Sequence, residues 1–206
     1  MNDVNDLASL PFDTLLDRLA DRSPTPGGGA AAAATGALAA ALARMVTAYS
    51  IRQDTEPAAR RELEELLVRL RRIDALLRAL MTEDARAYAS LRQAARAAEK
   101  KEAAYQEALL TASAVPTEMA ALLSEMLASL DAHKKRLNRA LESDLGIVLR
   151  LATAAARAAE RLVQINVTEM QDETRRERLL RGMADTVKRC DQLAWSIFGY
   201  LERRGA

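Results

Sequence analysis

The chain has 206 residues, half of them hydrophobic but only 3% aromatic, so it can bury one sizeable core made of Ala, Leu, Val, Ile and Met rather than rings. Thirty Lys and Arg against 29 Asp and Glu leave a net charge of +1; no global field draws it to nucleic acid or a membrane, and few rings remain for base stacking. One cysteine, Cys190, and one histidine, His133, exclude an internal disulfide and any multi-cysteine or multi-histidine metal centre.

Met1 to Leu10 carries Asp3 and Asp6 and lacks the basic-then-apolar order of a secretory signal, so a reducing, cytoplasmic setting is expected. Leu10, Phe12, Leu15, Leu16 and Leu19 predict a short amphipathic helix that ends before Ser23-Pro24-Thr25-Pro26-Gly27-Gly28-Gly29. A second helix follows, with Thr25 as its cap and Pro26 in its first turn, running to about Gln53. Its stretch from Pro26 to Ala43 is mostly Gly and Ala, with few of the large apolar side chains of a membrane span, and suggests close helix packing. Asp54, Thr55 and Pro57 mark the next turn, and Leu63, Leu66, Leu70, Ile73, Leu77, Leu80, Asp84, Ala87 and Leu91 form the apolar stripe of a long helix.

Val115-Pro116 is expected to start a further helix carrying Met119, Leu123, Met126, Leu130, His133 and Leu137. Ser143-Asp144 starts another, with its stripe at Asp144, Val148, Leu151, Ala155, Ala158, Leu162 and Ile165. The last helix repeats Leu180, Met183, Val187, Cys190, Ala194, Ile197 and Leu201 and should pack lengthwise on a neighbour. No alternating Val, Ile and Thr window reads as a strand, and no linker or repeat interrupts the chain. The expectation is an all-α protein, one orthogonal or up-down bundle of long helices over residues 1–206.

Asp84 breaks an apolar stripe, so its carboxylate either loses hydration, and with it its ordinary acidity, or finds a cation, or escapes to solvent at the boundary. Gly27, Gly28 and Gly29 either expose helix N–H groups to a ligand or let two backbones touch. Asp144 is explained by capping alone, whereas Asn166, between Ile165 and Val167, needs hydrogen-bond partners if buried. His133 and Cys190 read as core residues.

Taken in order, these elements resemble the cyclodeaminase/cyclohydrolase family, which comprises the C-terminal domain of formiminotransferase-cyclodeaminase and the stand-alone methenyltetrahydrofolate cyclohydrolases. Pro24-Thr25-Pro26-Gly27-Gly28-Gly29 with its Ala-rich helix looks like the family's start, and Asp84-Ala85-Arg86-Ala87-Tyr88 like its Asp-Ala-x-Ala-Phe element. Val115-Pro116, Ser143-Asp144 with Asn138 upstream, and Ile165-Asn166-Val167 match three further elements. The resemblance implies a helical, dimeric domain acting on a tetrahydrofolate derivative, with no metal or redox cofactor. Asp84 would be the catalytic carboxylate, with Pro26, Gly27, Gly28, Gly29, Asn138, Ser143, Asp144 and Asn166 as substrate-binding residues.

The chain departs from the family pattern at Tyr49 to Asp54, where lysines are usual, at Gln93 to Arg96, where a Leu-Pro-Lys turn is usual, and at Leu162 in place of an asparagine. Arg52, Arg96 and His133 are the candidates to replace the lost basic groups. These departures give the alternative reading, a non-catalytic helical binding or assembly protein that kept the bundle and lost the folate contacts.

Overall fold

Two-thirds of residues 28–48 are Ala or Gly, and so thin a helix can be walled on several sides at once. The computed structural model describes residues 6–97 and 102–205. After a single 3-10 turn at Leu7–Ser9, the helices are α1 (Phe12–Ala20), α2 (Gly28–Ala48), α3 (Pro57–Ala97), α4 (Ala103–His133), α5 (Glu142–Asn166) and α6 (Glu173–Gly205). No strand occurs among the described residues, as the all-α reading expects. The expectation for Met1 to Leu10 falls partly on residues 1–5, outside the described ones.

Helices α2, α3, α4 and α5 pack in a closed ring in which each touches the next, and α6 lies along α4 and α5. Successive members run antiparallel. A Cβ at Gly36 would meet Leu77 and Leu123 at 3.3 Å, so α2 sits close against α3 and α4. Arg69 Nη1 on α3 donates to Ser129 Oγ on α4 at 3.3 Å, and Arg157 on α5 pairs with Asp191 on α6 at 2.7 Å. The core is aliphatic: Leu63, Leu66, Leu70, Ile73 and Leu77 from α3 meet Met119, Leu123, Met126 and Leu127 from α4.

Helix α2 is long and apolar enough to cross a membrane, with a mean hydropathy of 1.4 over eighteen residues, more apolar than its lack of large side chains suggested. Eleven of its residues are buried, so just over half of this apolar stretch faces protein. It stops at Tyr49 rather than Gln53 because Ser50 turns back: its hydroxyl donates to the Val46 carbonyl at 2.7 Å and accepts from the Asn138 N–H at 2.8 Å.

Two sequence expectations are corrected. Val115-Pro116 lies inside α4, not at a helix start. The core stripe of α5 is Leu145, Val148, Leu149, Ala152, Ala155, Ala156, Ala159 and Val163; of the expected positions, Leu151, Ala158 and Leu162 are only partly buried and Ile165 is exposed. This helix is apolar on two faces, so its period alone did not say which one faces inward.

Sequence reasoning also passed over Asp74, which is 3% exposed next to Ile73. Its carboxylate is charge-paired with Arg44 from α2 and with Arg78 Nε one turn along α3, at 2.7 Å in the latter case. The pair raises the Arg78 pKa, through its hydrogen bond to Asp74 and the carboxylate's charge. Because truncation leaves both guanidiniums without their shared acceptor, Asp74→Ala is expected to lose roughly 2 kcal/mol in urea denaturation.

Candidate active site

The chain from Ser23 to Gly27 forms a loop before α2, held in part by Ser23 Oγ donating to the Thr25 carbonyl at 2.9 Å. The Thr25–Pro26 bond is cis, and the helix begins at Gly28 with an extended Gly27 as its cap residue. Thr25 therefore does not cap the helix, and Pro26 lies buried ahead of it instead of in its first turn. Gly27 has no side chain to cap with, so the first N–H groups of α2 remain available to other acceptors.

One of these N–H groups, from Ala30, donates to Asp84 on α3. The approach is very close: a Cβ at Gly29 would overlap the carboxyl group of Asp84. Asp84 is half-buried. Burial pushes its pKa above the ordinary value, and the Ala30 N–H opposes that only in part. No cation among the described residues contributes to the shift. Of the alternatives open for a stripe carboxylate, the structure thus selects partial desolvation without a paired cation.

Asp84 faces a cleft of about 300 Å³ lined also by Pro24, Thr25, Gly27, Gly28, Gly29, Ala87, Tyr88, Ala112, Leu162, Ile165 and Asn166. Among the described residues, Asp84 is the one charged residue in that lining. The cleft is open despite Leu162, so no side chain of the described residues plugs it, which counts against the non-catalytic alternative.

Asn166, at the last turn of α5, has a partner that explains it. Pro116 has no N–H, so in α4 the Ala112 carbonyl four residues earlier lacks its helical donor. Asn166 Nδ2 supplies one at 2.8 Å. That bond fixes the amide at the cleft edge and leaves its oxygen free of this contact. Nearby, the Tyr105 hydroxyl donates to the Glu169 carboxylate, Gln106 Nε2 to the Glu169 carbonyl at 3.1 Å, and the Gln171 N–H to Gln106 Oε1 at 2.9 Å. These bonds hold the end of α5 against the start of α4. Burial, with Glu169 beside it, pushes the Tyr105 pKa up to about 12.

The structure brings together Asp84, Gly27, Gly28, Gly29 and Asn166, with Pro26 in the adjoining loop. It does not bring Asn138, Ser143 or Asp144 to them. Asn138 donates to the Tyr49 carbonyl through Nδ2 at 3.2 Å, and Ser143 and Asp144 lie in the first turn of α5. That is the opposite end of α2, about 30 Å away along a helix of 21 residues. Asn138 caps its own 3-10 turn by accepting from the Ala140 N–H at 3.0 Å, and Leu141, not Ser143, precedes α5. Arg52 is paired with Asp54 at 3.0 Å, and His133 Nδ1 is bonded to the Ser129 carbonyl.

Sequence reasoning did not single out Tyr88 or the Ala112 carbonyl as parts of a site. Both had a signal: Tyr88 stands four residues after Asp84, and Ala112 four before a proline.

The formiminotransferase-cyclodeaminase family profile matches residues 11–185. The chain is 32% identical over 186 residues to the methenyltetrahydrofolate cyclohydrolase of Methylorubrum extorquens, covering 84% of this chain and 86% of that protein. It is 29% identical to the formimidoyltransferase-cyclodeaminase of Mus musculus over 89% of this chain, but that stretch is only 35% of the mouse protein. The crystal structure of formiminotetrahydrofolate cyclodeaminase from Thermotoga maritima superposes with a TM-score of 0.90 at 26% identity, covering 96% of this chain and 98% of that one.

The Pro116–Asn166 relation is open to a double-mutant cycle. Asn166→Ala is expected to cost about 1–2 kcal/mol by leaving the buried Ala112 carbonyl unsatisfied. In a Pro116→Ala background, where residue 116 regains an N–H, the same change should cost less than half as much, read from paired denaturant titrations.

Proposed function

The chain belongs to the formiminotransferase-cyclodeaminase family, and on that footing we propose that it is a folate-dependent one-carbon enzyme, a methenyltetrahydrofolate cyclohydrolase or a formiminotetrahydrofolate cyclodeaminase, with Asp84 as the proton-transfer carboxylate. The observation that carries this reading is a half-buried carboxylate, its pKa raised by burial, facing an open cleft at the glycine-rich start of α2.

Both reactions pass through a tetrahedral carbon between two nitrogens. In cyclohydrolysis, water adds to the cationic amidinium carbon. Asp84 accepts a proton from that water and returns one to the nitrogen that leaves; as the C–N bond breaks, the remaining hydroxyl proton is released to solvent and the formyl C=O forms. In cyclodeamination, a folate nitrogen adds to the formimino carbon; Asp84 takes the proton from the attacking nitrogen and delivers one to the departing amine, which leaves as ammonia. A carboxylate with a raised pKa suits such a two-way transfer near neutral pH, and its negative charge favours a cationic carbon. The Gly28 and Gly29 N–H groups and the Asn166 amide oxygen offer donors and an acceptor to the pterin ring.

A homodimer and a cytoplasmic location are part of the same proposal. The outward stripe of α2 is Thr35, Leu38, Leu42, Met45 and Tyr49, with Leu38 52% exposed. On neighbouring α5 it is Ile147, Leu151, Ala154, Ala158, Leu162 and Ile165, with Ile147 and Ile165 more than half exposed. No charge lies in either stripe, and so much contiguous apolar surface calls for a cover. A second copy packed on this face about a two-fold axis, with its helices reversed, would set the Asn138, Ser143 and Asp144 end of one subunit beside the cleft of the other. That arrangement gives those residues a place in a site from which one chain alone separates them.

The decisive assay follows the methenyl absorbance of 5,10-methenyltetrahydrofolate and, separately, ammonia release from 5-formiminotetrahydrofolate. Wild type is expected to turn over one of them and Asp84→Asn to lose at least about 100-fold in kcat. Inactivity of wild type on both, in folded dimeric protein, overturns the reading. Because Asp84 must be ionised to accept a proton, kcat/KM should fall as pH drops through a pKa higher than that of an ordinary carboxylate. The folded state holds this proton more tightly than the unfolded one, so the carboxylate opposes folding above that pH, and Asp84→Asn should melt no lower than wild type at neutral pH. Leu38→Glu is expected to give a monomer by light scattering. Mixing Asp84→Asn with Asp144→Ala subunits should restore activity if the two ends meet across the dimer.

A further inference from the structure

Three side chains on α3 stand four residues apart: Asp84, Tyr88 and Arg92. They fall on successive turns of one side of the helix. Asp84 and Tyr88 line the cleft, and the Arg92 guanidinium lies over the Tyr88 ring, 6.0 Å from its centroid. Arg92 is exposed and has no ion-pair partner among the described residues. The ring contact holds the guanidinium at the mouth of the cleft without neutralising it.

The charge order along this ladder is negative, aromatic, positive. From Asp84 to Arg92 the helix rises about 12 Å. A reduced folate carrying a methenyl group has the reverse complement in the same order: a cationic carbon, a benzoyl ring, and two carboxylates on its glutamate. Among the described residues the cleft's own lining contains a carboxylate and no cation, so it offers the acidic end of such a ligand no ion pair.

Resting on the folate reading above, we propose that Arg92 is the residue that binds the glutamate carboxylates, with Tyr88 as the surface for the benzoyl ring. Arg92 thereby supplies a basic contact where the lysine run is absent; Arg52 and His133 are engaged elsewhere, and Arg96, one turn further along α3, lacks the ring contact that places Arg92 beside Tyr88. It acts on binding and not on the reacting carbon, which distinguishes it from Asp84. A guanidinium can hold a carboxylate with two parallel bonds, so lysine replaces it only in part.

The test is steady-state kinetics with 5,10-methenyltetrahydrofolate and with its glutamate diamide, which keeps the rings and removes both negative charges. For Arg92→Gln, KM for the acid is expected to rise about tenfold with kcat within about twofold, while KM for the diamide stays at the wild-type value. Added salt should raise the wild-type KM for the acid and leave that of Arg92→Gln nearly flat; Arg92→Lys should recover part of the loss. An unchanged KM in Arg92→Gln, or an equal rise for acid and diamide, overturns the assignment while leaving the folate reading intact. Wild type that neither binds nor converts any folate overturns both.

Discussion

The carboxyl group of Asp84 occupies the space a side chain at residue 29 would fill. Everything at this end of the molecule follows from that contact. It requires glycine at position 29, it brings α3 against the first turn of α2, and it spends one of the helix's free N–H groups, that of Ala30, on the carboxylate. The same contact removes water from one side of the group, which is why burial raises its pKa in spite of the hydrogen bond. A packing feature and a chemical one are here the same feature, so the two explanations offered for the glycine run do not compete.

Much of the frame was legible in the sequence because it is written in single-helix terms. The stripe from Leu63 to Leu80 and the repeat from Met183 to Ile197 are buried as their spacing requires, and Asp84 was visible as the member of a stripe that did not belong. What stayed hidden depends on residues far away in sequence. Pro116 looks like a helix start because its missing N–H is cheapest there, and only Asn166, on another helix, makes an interior position tolerable. Asp74 resembles a surface acid until Arg44 is brought to it from α2. On α5 both faces are apolar, and the choice between them is made by the neighbours, not by the helix.

The candidate site was legible to the same degree and for the same reason. Asp84, the glycines and Asn166 converge, because each marks a departure from what its own helix prefers. Asn138, Ser143 and Asp144 were grouped with them by resemblance, and a helix of 21 residues separates them within the chain. Residues recognised together need not be neighbours in one subunit; in the proposed dimer the split assigns the face of the bundle that a composite site would use. The cationic contact was sought at Arg52, Arg96 and His133, whereas the proposed one, Arg92, stands two turns beyond the carboxylate, supported by a ring.

The thinness of α2 has a consequence for how the protein comes to be folded at all. During synthesis this helix leaves the ribosome well before the segments that wall it, and its last wall, α5, is made only when Glu142–Asn166 has emerged. Until then the most apolar 21-residue stretch of the chain is without its permanent cover. The nascent chain thus carries uncovered apolar surface over the interval between these two helices, and substitutions that make exposed positions of α2 more apolar would aggravate that exposure without lengthening it.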